Sequence, residues 1–227
     1  MKTYEMIKTI YHSAFFSFFI PTFLTEFRRE VNGSGRVLDL GCGPSSPLQY
    51  CDVGFSIGVE AFAPYLEKSK KQGIHSEYIA SRIEDVEFPP RSFDIVIMSE
   101  VLEHLPDELG LRMLKKAEGW AVKKVIISSP NGFIPQKELD GNSLQKHLSG
   151  WNYARMRKLG FKCRGLAGLK VLRQEVESET MGDDLTSSMR FWPKSFWFVI
   201  AALSQMITYY MPFLAFELFC VKNLADE

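Results

Sequence analysis

The chain has no excess of either charge: 27 Lys and Arg stand against 27 Asp and Glu among 227 residues. That balance supplies no global field toward a polyanion, so a nucleic-acid partner finds support only in local clusters such as Lys68, Lys70 and Lys71. Cysteine is sparse as well. Cys42, Cys51, Cys163 and Cys220 form no CxxC pair and lack the density of a secreted disulfide scaffold, so a reducing, cytoplasmic setting is the expectation. There is no internal repeat and no low-complexity tract. A secretory signal is not expected: Lys2 and Lys8 precede the apolar patch AFFSFFI (14–20), but Pro21 and a charged segment follow without a small-residue cleavage site.

What is present alternates. Apolar strand-like runs at 36–40 (RVLDL), 55–60 (FSIGVE), 76–80 (SEYIA), 93–99 (FDIVIMS) and 123–129 (KKVIISS) are separated by helical stretches, notably 62–72 and 106–120. Several of these strands are apolar throughout, which predicts an α/β protein with a parallel sheet covered on both faces. Residues 2–30 read as Phe-rich helix broken at Pro21. A short helix near 151–159, a strand within 160–173 (GFKCRGLAGLKVLR) and a polar, acidic surface loop at 173–190 come later. From Phe196 to Phe216 the chain carries no charge, a length that approaches the ~20 residues of a membrane span. Ser204, Gln205 and Thr208 cluster on one helical face there, and Pro212 separates the helix from a strand-like FLAFELFCVK. A helix packed on the domain ranks first, an interfacial membrane helix second and a span third.

The first strand runs into LDLGCGPSSPL, where Gly41 and Gly43 lie two apart at the handover from strand to helix. Glycines there permit a tight turn and let a ligand approach bare backbone. Asp39 stands just before the turn, and Glu60 ends the second strand, where a carboxylate can accept ribose hydroxyls. The dinucleotide fingerprint wants a third glycine where this chain has Ser46, and Pro47 shortens the following helix, so a pyrophosphate is poorly served.

At VLDLGCG, GVEAF, SRIEDVEFPPRSFDIVIMSEVLEHL and ISSPNG, in this order and spacing over about residues 36–165, the chain resembles the Rossmann-like S-adenosylmethionine (SAM) dependent methyltransferases. The resemblance implies a doubly wound seven-stranded sheet of order 3-2-1-4-5-7-6, its last strand antiparallel, with N-terminal helices. It implies one domain over 1–227: a helical cap at 1–32, a cofactor-binding core at 36–172, an insertion with the apolar helix at 173–212 and the last strand at 213–222. Carried over by position, Asp39, Gly41, Cys42 and Gly43 would line the methionine and ribose part of SAM. Glu60 and Ala61 would meet the ribose, Ile83 and Glu84 the adenine, and Ser99 the sulfonium. Arg82 stands where the family often has an acid for the adenine amine.

After the fourth strand comes SEVLEHLP (99–106), in which Glu100, Glu103 and His104 fall at i, i+3 and i+4, one face if the chain is helical there. Acids are also simply favoured in a helix's first turn. His104, with Glu103, is the catalytic candidate for removing the acceptor's proton. Downstream, His147 offers a further ligand. The set resembles that of metal-dependent small-RNA 2′-O-methyltransferases and, more loosely, ubiquinone-pathway O-methyltransferases, which implies Mg²⁺ or a similar ion on Glu100, Glu103, His104 and His147. His104 cannot be ligand and free base at once. The expectation is O-methylation of a small or lipid-linked hydroxylated acceptor, with peripheral membrane contact left open. The alternatives are an RNA methyltransferase and a non-catalytic, membrane-associated SAM-fold binding protein.

Overall fold

The computed structural model describes residues 20–174 and 186–224. The helix expected before Pro21, with His12 in it, and most of the expected loop 173–190 lie outside the described residues. Seven strands, β1 (Ser34–Leu40), β2 (Val53–Glu60), β3 (Glu77–Ala80), β4 (Phe93–Ser99), β5 (Ala121–Pro130), β6 (Lys162–Leu169) and β7 (Ala215–Asn223), form one sheet of order β3-β2-β1-β4-β5-β7-β6. Strands β1 to β5 pair in parallel, while β7 runs antiparallel to both β5 and β6. Order and direction are those expected from the sequence.

The apolar strands are apolar on both sides because both faces of the sheet are covered. In β4, Val96 and Met98 enter a core with Leu38, Leu40, Val125 and Ile127, while Ile95 and Ile97 enter a second core with Val37 and Ile126. Helix α3 (Asp107–Trp120) seals the first with Met113, Leu114 and Ala117; helix α1 (Phe23–Val31) seals the second with Phe27 and Val31. Helix α2 (Ala63–Gln72) ends in Gly73, whose φ of +63° is the left-handed stop that glycine takes readily. The short α4 (Tyr153–Lys158) follows Trp151, which is wholly buried and donates from Nε1 to Leu102 O at 3.0 Å. Gly110 on α3 is matched to that ring, since a Cβ there would lie 2.4 Å from Trp151 Cζ2.

Helix α5 (Lys194–Thr208) packs on β6, as ranked first, but with its polar side inward. Gln205 accepts from Gly168 N (2.9 Å) and donates to Gly165 O (2.8 Å), and Ser204 Oγ accepts from Leu169 N (3.0 Å). Approach is this close because a Cβ at Gly165 or Gly168 would lie 2.2 Å from Thr208 O or 2.1 Å from Ala201 O. No helix among the described residues is long and apolar enough to cross a membrane.

Candidate active site

The parallel strands end together on one edge, where the crevice of an open α/β sheet lies. A cavity of about 430 Å³ opens there. Asp39, Gly41, Cys42, Gly43, Glu60, Ala61, Ile83, Glu84 and Ser99 all line it. Gly41 turns with φ +70°, and a Cβ on it would come 2.7 Å from Val101 Cγ2, so the glycine keeps this wall open. Glu60 is held by amides: Gly43 N donates to Oε2 at 3.0 Å and Phe62 N to Oε1 at 2.7 Å. Burial raises its carboxyl above the ordinary value, and the amide donors oppose the rise. In place of a full helix after β1 there is one 3₁₀ turn, Pro47–Tyr50, capped by Ser46.

Asp39 is buried and accepts from Ser46 Oγ at 2.6 Å, with His75 Nε2 3.5 Å away. Burial raises Asp39 and lowers His75, each partly offset by the other. His75, just before β3, is buried against Gly58, where a Cβ would come within 2.5 Å of its ring. Arg82 pairs with Glu84 at 2.5 Å on the rim of the cavity.

The segment after β4 departs from the helical expectation. Glu100 takes φ +53°, and only Leu102–His104 turns, as 3₁₀. Glu100, Glu103 and His104 therefore do not share one α-helical face. Glu100 N instead continues the ladder to Ser128 O at 3.0 Å, leaving the side chain open to the cleft. Glu103 points inward and is 1% exposed, and neither carboxylate oxygen has a hydrogen-bond partner. Burial, then the Glu100 carboxylate, raise it well above the usual range.

The loop after β5 brings His147 to this point. Leu148 N and Ser149 N both donate to Glu103 O, at 2.7 and 3.1 Å, and the His104 and His147 rings lie 4.8 Å apart. Donor atoms of Glu103, His104 and His147 all fall within 4.8 Å of one another; Glu100 is not part of that group. His104 Nδ1 faces Lys146 O (3.3 Å) and His147 Nδ1 faces Ile134 O (2.6 Å). Donation from Nδ1 to a carbonyl puts the lone pair on Nε2, the usual second-sphere arrangement of a metal-ligating imidazole. Burial, then His147, lower His104 to about 4, so it stays neutral near neutral pH. Two neutral imidazoles beside a partnerless buried carboxylate suit a divalent ion.

A second cavity of about 340 Å³ opens on the far side of this cluster and shares Glu100, His104 and Gln145 with the first. Sequence reasoning missed Glu217, the one acidic residue of β7. Burial, then Glu100, raise it to about 8, against the pull of Arg173. Pro130 of the Ser129–Gly132 turn lines the second cavity, whereas Asn131 is consumed by structure, donating to Pro212 O and Ala215 O.

A reversed β5-β7-β6 edge, a glycine turn after β1 and a carboxylate at the end of β2 define the Rossmann-like SAM-dependent methyltransferase fold. Residues 38–117 match the methyltransferase-domain family. An uncharacterized methyltransferase of Schizosaccharomyces pombe is 29% identical over 131 residues, 51% of this chain and 44% of its own length. A ubiquinone biosynthesis O-methyltransferase of Aliivibrio fischeri is 33% identical over 100 residues, 40% and 43% of the two lengths. Among solved structures, the small RNA methyltransferase HEN1 superposes with a TM-score of 0.56 at 15% identity, over 90% of this chain and 25% of that one. The match over residues 38–117 and the sheet order together give the chain the Rossmann-like SAM-dependent methyltransferase fold. It spans less than half the length of these two curated relatives.

Proposed function

We propose that the chain transfers the methyl group of SAM to a hydroxyl oxygen of a small or lipid-linked acceptor, with a divalent ion held beside the acceptor. One observation carries this reading: the two cavities meet at Glu100 and His104, where Glu103, His104 and His147 converge. The larger cavity is the donor pocket. Its glycine turn leaves backbone exposed to the cofactor, and Glu60, already oriented by Gly43 and Phe62, accepts the ribose hydroxyls. Asp39 lines the methionine and ribose part, Ile83 and Glu84 flank the adenine, and Ser99 stands near the sulfonium.

SAM supplies an electrophilic methyl carbon, which the acceptor oxygen takes by in-line displacement while the carbon–sulfur electron pair stays on sulfur and the hydroxyl proton passes to water in the open cleft. The residues align the two partners across the shared wall. Glu103, His104 and His147 would hold the ion, with Glu100 at the cleft edge to complete its shell. Such an ion would lower the acceptor hydroxyl's pKa and offset the buried carboxylate charge. The imidazole pair suits Mn²⁺ or another first-row ion as well as Mg²⁺. An imidazole that protonates only near pH 4 is a weak base at neutral pH, which favours His104 as ligand over His104 as sole base.

The similarity to ubiquinone biosynthesis O-methyltransferases supports an oxygen acceptor. RNA ranks lower because the chain has no net positive charge to hold a phosphate backbone. A non-catalytic binding protein ranks lower because the donor and acceptor cavities are both open and adjoin. The test is transfer of label from labelled SAM to fractionated cell extract, with and without chelator. Label in a phenol- or hydroxyl-bearing fraction, lost on chelation and restored by Mg²⁺ or Mn²⁺, is expected. Full transfer in chelator would overturn the metal assignment, and label appearing only in RNA would overturn the acceptor.

A further inference from the structure

Helix α5 is inside-out. Its polar residues Ser204, Gln205 and Thr208 are buried against the glycines of β6, while Phe196, Val199, Leu203, Met206 and Ile207 are exposed. Those five recur at helical spacing, so they form one continuous stripe on the solvent side. The reversal is enforced from within, because Gly168 N and Gly165 O need the Gln205 amide and Leu169 N needs the Ser204 hydroxyl. Turning the stripe inward would strand those groups. Among the described residues nothing covers this apolar face, which is thus committed to something beyond them.

We infer that this face docks on a lipid bilayer with anionic headgroups. Three observations select that occupant. The stripe ends in Trp192, 86% exposed, and Tyr210, 82% exposed, amphipathic rings of the kind that settle at the headgroup level, with Phe213 half-exposed beyond. From Thr186 to Phe216 the chain carries two cations, Arg190 and Lys194, and no Asp or Glu. Both cations are exposed at the Trp192 end. At the other end Arg29 reaches Tyr209 Oη at 3.2 Å, but its charge is paired with Glu26 and Glu30, so the cations of this face without an acidic partner among the described residues are those at the Trp192 end. A second copy presenting the same patch would bring cation toward cation, whereas a headgroup layer brings the opposite charge. With α5 only 15 residues long, the helix lies along the surface rather than across it.

Docking also sets where the acceptor would enter. The segment leading into α5 supplies Ser188 to the second cavity, and Ser188 Oγ accepts from Arg173 at 2.6 Å. A lipid-linked acceptor would therefore reach the ion cluster from the membrane side, a corollary that rests on the proposed function. The docking itself does not.

The test is flotation of the full chain with phosphatidylcholine vesicles, with and without phosphatidylglycerol, for the wild type and for Leu203→Glu combined with Ile207→Glu. Both positions are exposed, and an unchanged thermal transition checks that the pair folds. The wild type should float, more strongly with phosphatidylglycerol, and the Glu pair should lose roughly tenfold or more of its partitioning. Trp192 emission, taken as the difference between wild type and Trp192→Phe, should shift to the blue on vesicle addition. A wild type that stays unbound, a Glu pair that floats equally, or a wild-type dimer that the Glu pair splits without vesicle binding would each overturn the inference.

Discussion

Replacing Glu103 with Gln should make the ion-free protein more stable and the ion-loaded protein less so. Without an ion, the wild type buries a carboxyl group with no hydrogen-bond partner on either oxygen and with Glu100 adjacent. An unsatisfied buried polar group costs about 1–3 kcal/mol, more if it carries charge. Gln has the same shape, carries no charge and offers Glu100 a donor, so Glu103→Gln should recover about that amount in chelator. For a domain of this size that is a rise in Tm of roughly 2–10 °C. With Mg²⁺ or Mn²⁺ at a thousandfold over its dissociation constant, the wild type should gain about 4.1 kcal/mol and the variant almost nothing. The order of the two melting temperatures should therefore invert between chelator and ion, read by thermal unfolding at constant pH with no substrate present. A variant less stable than wild type in chelator, or equally stabilised by the ion, would refute the reasoning.

Glu60→Ala should weaken SAM binding about ten- to a hundredfold in titration calorimetry, the worth of a charge-assisted hydrogen bond of about 1.5–3 kcal/mol; unchanged affinity would remove Glu60 from the ribose site. Trp151→Ala should destabilise the protein by about 3–5 kcal/mol, since the ring is wholly buried and bonded to Leu102 O, and a loss under 1 kcal/mol in urea unfolding would contradict that packing. Asp94 accepts from Gly35 N and Arg36 N and pairs with Lys123, which, with those amides, holds its carboxyl below the usual value. Its contribution should be present above the unfolded value of about 3.9 and fade as pH falls through the lower folded value. Asp94→Asn should thus trail the wild type by about 1 kcal/mol at pH 7, a gap that closes at low pH, and a pH-independent gap would be the contrary result.

The fourth strand was legible residue for residue at 93–99, and its neighbours nearly so, because a parallel strand buried on both faces reads as an uninterrupted apolar run. The order β5-β7-β6 was legible only through resemblance. Periodicity misjudged Glu100 because it assumes α-helical geometry, whereas that residue sits in the left-handed region while its amide stays paired with β5. It grouped Ser204, Gln205 and Thr208 correctly but could not say which way they faced, since the glycines that demand them are some 40 residues earlier. Glu217 and the contact of His75 with Asp39 were missed for a related reason. Their significance lies in partners on other strands, Asp39 and Glu100, and no local pattern signals that.

The loop between Phe133 and Ser149 forms part of the wall of both cavities: Asn142 to Gln145 and Leu148 face the cofactor side, while Ile134, Gln136 and His147 face the ion side. Its amides at Leu148 and Ser149 are fastened to the Glu103 carbonyl, and its Ile134 carbonyl accepts a hydrogen bond from His147 Nδ1. If the proposed cofactor and ion each order this strap, binding in one chamber preorganises the other and their occupancies are thermodynamically linked. Whatever factor the ion adds to cofactor affinity, the cofactor must return to the ion.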